Sequence, residues 1–280
     1  MGEAGNITFS LMTVKSFFSA VWQFCSYLFW PRWGGKKSIR RCIGQSEEYI
    51  SDLKSHCVES MFCREYSWKA KHPFKVMSFV NSMTWRMYDM SYAALTLLKQ
   101  NRIVPSLCLV RACWENMVAI YELKVLVENC ARQQKPQDDL DATLMRILFS
   151  NRYEKDNRFV GEEHFEQFKE YKAKNILTLL QRLEKDCPMI KDYYSAICEF
   201  VHPNHDGVYA SYSYLNEANH TVYFGTQLNQ ESWLFEASLT ILNCSIDLYI
   251  SIIINIKENI GEFARICENS LKTTDEEETI

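Results

Sequence analysis

With 280 residues, 47% of them hydrophobic, the chain can bury a core as one large domain or two small ones, and extensive disorder is excluded. Its 31 basic and 35 acidic residues leave a formal charge of -4, so no global basic field marks it for nucleic acid, and such a partner would need a local patch. The 11 cysteines are odd in number, form no Cys-x-x-Cys pair and sit mostly in apolar runs such as SLCLVRACWENMV, which is how reduced, buried thiols of a cytoplasmic protein are distributed.

The first segment, residues 1–35, carries an apolar run followed by the basic cluster Lys36, Lys37, Arg40 and Arg41. A cleaved signal peptide has the opposite charge order and a small-residue cleavage site. At 100° per residue, Lys15, Ser16, Ser19, Gln23 and Ser26 share one face, and Phe17, Phe18, Val21, Phe24, Leu28 and Phe29 the other. An amphipathic helix over 10–30 is expected, with three fates open to it. It docks on the body or on a second subunit; it lies on a membrane, with Trp22, Trp30 and Trp33 near the headgroups and peripheral contact through residues 10–41; or it spans a bilayer, although a spanning helix would be apolar all round.

The pair Gly34 and Gly35 predicts a linker, and the helical body is expected over 36–269. Periodicity and breakers place helices at 45–62, 74–100, 103–132, 138–152, 165–186, 189–201 and 230–269. Pro73, Pro136, Pro188 and Pro203 punctuate them, and Pro105 stands just inside a helix start. The second and third helices are joined by a few residues around Asn101, which predicts an antiparallel hairpin of helices. Val208, Ala210, Tyr212 and Tyr214 alternate before a polar turn and TVYF, which predicts a small β-hairpin excursion. The last helix is apolar enough to raise a membrane question, but Glu236 and Asp247 favour a central core helix. The tail over 270–280 is acidic and expected to be disordered.

Polar residues in apolar places are the candidates for function. Arg111 and Glu115 stand one helical turn apart, as an internal ion pair fixing register or as a device that orients His202 inside the bundle. Glu199 and His202 have the Glu-x-x-His spacing that supplies two ligands of a di-metal site in ferritin-like bundles. The rest of such a site is missing: the other match, Glu217 with His220, lies in the predicted turn, and Pro203 disfavours regular helix at His202. His205 and Asp206 form the doublet used by metal-dependent phosphohydrolases, without its distant partners. No nucleophile elbow and no glycine-rich phosphate loop occurs among 9 glycines. Asn204, His205, Asp206 and Gly207 have the chemistry of a tight turn, with Gly207 available for positive φ. The turn does not account for His202, which is expected to hydrogen-bond Glu115 or Arg111 and to titrate near neutral pH.

LVRACWENMV in one core helix and YYSAICEFVHPNHDGV closing a later one resemble bacterial helical-bundle proteins related to the HEPN superfamily, over roughly residues 45 to 260. The resemblance implies an all-α multi-helix bundle and membership of a group that includes RNases, toxins and anti-phage defence components. The chain departs from the ribonuclease motif Arg-x4-6-His: Ser195, Ala196 and Ile197 precede His202 at that spacing, and Cys198, Glu199 and Phe200 precede His205. The expected protein is therefore an interaction or regulatory module of defence or toxin type. Its site candidates are Arg111, Glu115, His202, Asn204, His205 and Asp206, its partners another protein, a second copy, or RNA or a nucleotide, and it needs no cofactor. A metal-dependent bundle enzyme using Glu199, His202, His205 and Asp206 is the first alternative, and a membrane-associated scaffold the second.

Overall fold

The computed structural model describes residues 36–136, 139–149, 174–188, 190–226 and 232–277. The amphipathic segment expected over 10–30 lies outside them, as do the last three residues of the tail. The chain is an all-α multi-helix bundle with one small β-hairpin. In order come α1 (Lys36–Ser55), α2 (His72–Lys99), α3 (Ile103–Gln133), α4 (Leu140–Phe149), α5 (Ile176–Leu183) and α6 (Ile190–Val201). A π-helical turn (His205–Tyr209) and the one-turn α7 (Ala210–Tyr212) lead into β1 (Ser213–Asn216) and β2 (Thr221–Phe224), and α8 (Ser232–Glu277) closes the chain.

Two long apolar helices, α3 and α8, form the centre, with α1 and α2 packed around them and α5 and α6 laid on the far side of α3. By length and composition both central helices could cross a membrane, yet most of each apolar window is buried within the bundle. That burial supports the core-helix expectation for α8. Trp114, fully buried on α3, donates its indole N–H to the Ile241 carbonyl of α8 at 3.2 Å, and the Tyr249 hydroxyl of α8 meets Thr84 Oγ1 of α2 at 3.1 Å. These bonds satisfy the polar ends of two large aromatic groups, so their apolar area is buried without an orphaned donor.

The link between α2 and α3 is as short as expected. Asn101 takes a left-handed conformation at φ 63°, and Ser106 Oγ donates to the Ala94 carbonyl at 2.9 Å, clamping the helical hairpin at its base. At the same end Lys99 pairs with Glu47 of α1 at 2.6 Å. Pro73 occupies the first turn of α2, where its missing N–H costs nothing.

Several boundaries differ from the sequence expectation. Within the helix expected over 165–186, α5 starts only at Ile176, with extended Asn175 as its N-cap, and ends at Leu183. α1 starts at Lys36 rather than 45, because Gly44 is carried inside the helix with open space about its Cα, and it stops at Ser55. α8 continues to Glu277, eight residues past the expected end at 269, as the propagation of a helix already formed allows. The alternation at 208–212 does not make strand; those residues curl through the π-turn and α7, and pairing begins at Ser213. The hydroxyls of Ser211 and Ser213 donate to the carbonyls of Asp206 and Tyr209 at 2.6 Å each, giving this backbone a local alternative to a ladder.

Candidate functional site

α6 runs antiparallel to α3 and brings a second set of polar side chains to Arg111 and Glu115. Arg111 Nε donates to Glu115 Oε1 at 3.1 Å and to the Tyr194 hydroxyl oxygen at 3.2 Å, while that hydroxyl donates to Glu115 Oε1 at 2.8 Å. The guanidinium also sits over the Tyr194 ring, with Cζ 5.5 Å from its centroid. The three groups close a triangle in which each side is a hydrogen bond assisted by charge. Burial, then the bond to Glu115, raises the Tyr194 pKa above the ordinary phenol value against the opposing pull of Arg111, so the phenol keeps its proton. Cys198, one turn further along α6, is held above the usual thiol value by burial, and Arg111 and the Tyr194 hydroxyl partly offset that effect.

This geometry corrects two expectations. The Arg111 and Glu115 side chains are 28% and 39% exposed, so the pair lies at the edge of the core and not inside it. The faces of α3 covered by α2 and α8 are mostly apolar, with Ser106 and Asn116 as buried polar exceptions bonded to α2, and the short α6 only partly roofs the remaining one. The third member of the cluster is Tyr194 and not His202. His202 lies past the end of α6, exposed, and its ring makes no hydrogen bond to Arg111 or Glu115. The signal for Tyr194 was present in the sequence: Tyr194, Cys198 and His202 recur every fourth residue and so share one helix face.

The stretch after α6 is built as expected from turn residues, by a different device. The backbone N–H of His202 still bonds the Cys198 carbonyl at 2.9 Å, so Pro203 ends the helix one residue after His202 joins its ladder. Asn204 caps the π-turn: its Oδ1 accepts from the Gly207 N–H at 2.9 Å, and its Nδ2 donates to Glu199 Oε2 at 2.8 Å. Gly207 does not have positive φ. It is required because a Cβ there would lie 2.2 Å from the His202 carbonyl oxygen and 2.7 Å from that of Phe200. The turn folds back onto the end of α6, and only a residue without a side chain fits between the two backbones.

His205 Nδ1 lies 2.9 Å from Asp206 Oδ1, both groups exposed, and the His205 ring leans on Tyr209 at 5.6 Å between centroids. Of the four residues of the metal-enzyme alternative, Glu199 is engaged by Asn204 and His205 pairs with Asp206, so they do not share one centre. Among the described residues no group of three or more His, Cys, Asp or Glu side chains converges as a metal ion would need. Elsewhere on α3, Tyr121 donates to Asp186, and Glu122 takes Lys174 at 2.7 Å and Arg182 at 2.8 Å. These contacts fasten the segment that delivers α6 to its position over Arg111. No family model, curated protein or solved structure matches this chain.

Proposed function

We propose that the chain is a HEPN-like helical interaction module of bacterial defence or toxin type, which engages an anionic group of its partner through Arg111. The observation that carries this reading is the division of labour within one guanidinium. Its Nε is committed to Glu115 and Tyr194, whereas its two terminal nitrogens make no hydrogen bond to a described residue. A planar cation held in one orientation, partly desolvated, with no partner on its fork among the described residues, suits two-point binding of a carboxylate or phosphate. Tyr194 and Glu115 act as positioning residues for it.

Recognition is favoured over cleavage, because the Arg-x4-6-His pattern is missing and His202 stands apart from Arg111 and Glu115. An acidic protein surface and RNA share the anionic chemistry. Expression in a bacterial host, scored for growth and for phage plating, tests the reading. Wild type should alter one of them, and Arg111→Gln, with unchanged circular dichroism, should abolish the effect. A phenotype that survives Arg111→Gln, or no phenotype in wild type, overturns it.

A further inference from the structure

The β-hairpin is the part of the molecule least able to stand alone. Its register pairs Ser213 with Phe224, Tyr214 with Tyr223, Leu215 with Val222 and Asn216 with Thr221. Alternation therefore puts Tyr214 and Tyr223 on one face, and Leu215, Val222 and Phe224 on the other. Tyr214, Leu215 and Tyr223 are exposed, Phe224 is 78% exposed, and Val208 and Tyr209 of the adjoining π-turn are exposed beside them. Isolated two-stranded hairpins are marginal in water, and contiguous exposed apolar surface of this kind marks a contact site.

Position and charge identify the contact. Lys99, the last residue of α2, pairs with Glu47, so the first turns of α1 project from the end of the bundle where α2 stops and α3 starts. Asp186, ahead of α6, meets Tyr121 far along α3, and Tyr194 within α6 meets Arg111 nearer the start of α3, so α6 runs towards that same end and carries the chain that forms the hairpin there. The first turns of α1 bear Lys36, Lys37, Arg40 and Arg41, of which Arg40 and Arg41 are exposed and form no ion pair with a described residue. This is a local basic cluster on a chain of net charge -4, and the sequence directly before it is rich in aromatic residues, Phe17, Phe24 and Phe29 among them.

We propose that this end of the bundle docks on an anionic lipid surface, with the hairpin as a second contact beside the start of α1. A docked helix or a second copy would cover one face of the ribbon, whereas a bilayer interface receives both, and aromatic side chains are enriched at that depth. The polar turn Glu217 to His220 holds the hairpin in the headgroup layer, since hydrogen-bonding groups do not enter hydrocarbon. The basic cluster supplies attraction that falls with salt.

Flotation of the full chain with vesicles tests this, comparing phosphatidylcholine alone with vesicles in which phosphatidylserine replaces part of it. Binding is expected to the anionic vesicles, to weaken with salt and on Arg40→Glu with Arg41→Glu, and to weaken about tenfold on Phe224→Ser. Hydrogen exchange of the wild-type chain reads the hairpin directly: amides over 208–224 should slow when anionic vesicles are added. No flotation overturns the proposal, as does flotation with unchanged exchange at 208–224, which would place the contact elsewhere. Slow exchange there without lipid, together with a dimer by light scattering, also overturns it and assigns the surface to a second copy.

Discussion

Tyr194 on α6 and His202 just past its end follow one line at a spacing of two turns, and their surroundings differ completely. Tyr194 is packed under Arg111, with its hydroxyl accepting from the guanidinium and donating to Glu115. His202 is exposed past the helix end, with its backbone and not its ring tied into the structure. Equal spacing along a helix gives equal direction, but depth along the partner helix decides what each residue meets. α3 lies under the middle of α6, whereas beyond Val201 the chain leaves α3 and folds back on itself.

The sharpest way to break the folded-back region is at Gly207. The Cβ of Gly207→Ala would meet two carbonyl oxygens at 2.2 and 2.7 Å, and both belong to backbone that cannot swing aside like a side chain. Overpacking of that kind costs about 1–3 kcal/mol, so urea unfolding should show a loss in that range. The Arg111 triangle lies on the other part of α6 and should keep its geometry. Exchange of the Gly207 and Val208 amides should rise while the middle of α6 stays protected; equal loosening of both parts would show that they are one cooperative unit.

Within the triangle the expected effects are smaller. Tyr194→Phe removes two bonds of the triangle, the one accepted from Arg111 and the one donated to Glu115, and leaves Arg111 with Glu115, which should cost about 1–2 kcal/mol by thermal or urea unfolding. Glu115→Ala should cost a similar amount, and the double mutant less than the sum of the two, because the same carboxylate oxygen serves both partners. Strict additivity would mean that the bonds act independently. The same network can be read through Cys198. Its thiol is raised by burial and lowered by Arg111, so Arg111→Leu should move the midpoint of its alkylation profile to higher pH.

The fold was largely legible because it rests on pattern: the 3.6-residue periodicity of α2, α3 and α8, the short link at Asn101, and a turn between two apolar stretches for the hairpin. α1 was read short because the basic residues before Gly44 hide its amphipathic start, and α8 was read short because an acidic tail can continue a helix that packing has already formed. The site was half legible. Arg111 and Glu115 were found from their spacing and charge, but the assumption that polar groups in an apolar helix are buried led to His202 as the partner. A tyrosine is unremarkable among apolar neighbours, since its hydroxyl becomes significant only when a second helix brings an acceptor to it. The role of Gly207 was illegible for the same reason: the carbonyls it must clear belong to residues placed there by the return of the chain.

The smallest expected effect on stability is at His202, and it separates the two parts of α6 most cleanly. A ring that is exposed and hydrogen-bonds neither Arg111 nor Glu115 gives up little on truncation, so His202→Ala should change stability by less than about 0.5 kcal/mol. If His202 instead completed the Arg111 network in solution, its loss would strand a carboxylate partner and cost about 1–3 kcal/mol, coupled to Glu115→Ala. One pair of urea titrations therefore discriminates between the geometry described and the one expected from spacing alone. With stability unchanged, any loss of cellular phenotype in His202→Ala belongs to contact with a partner, since the folded body has no use for the ring.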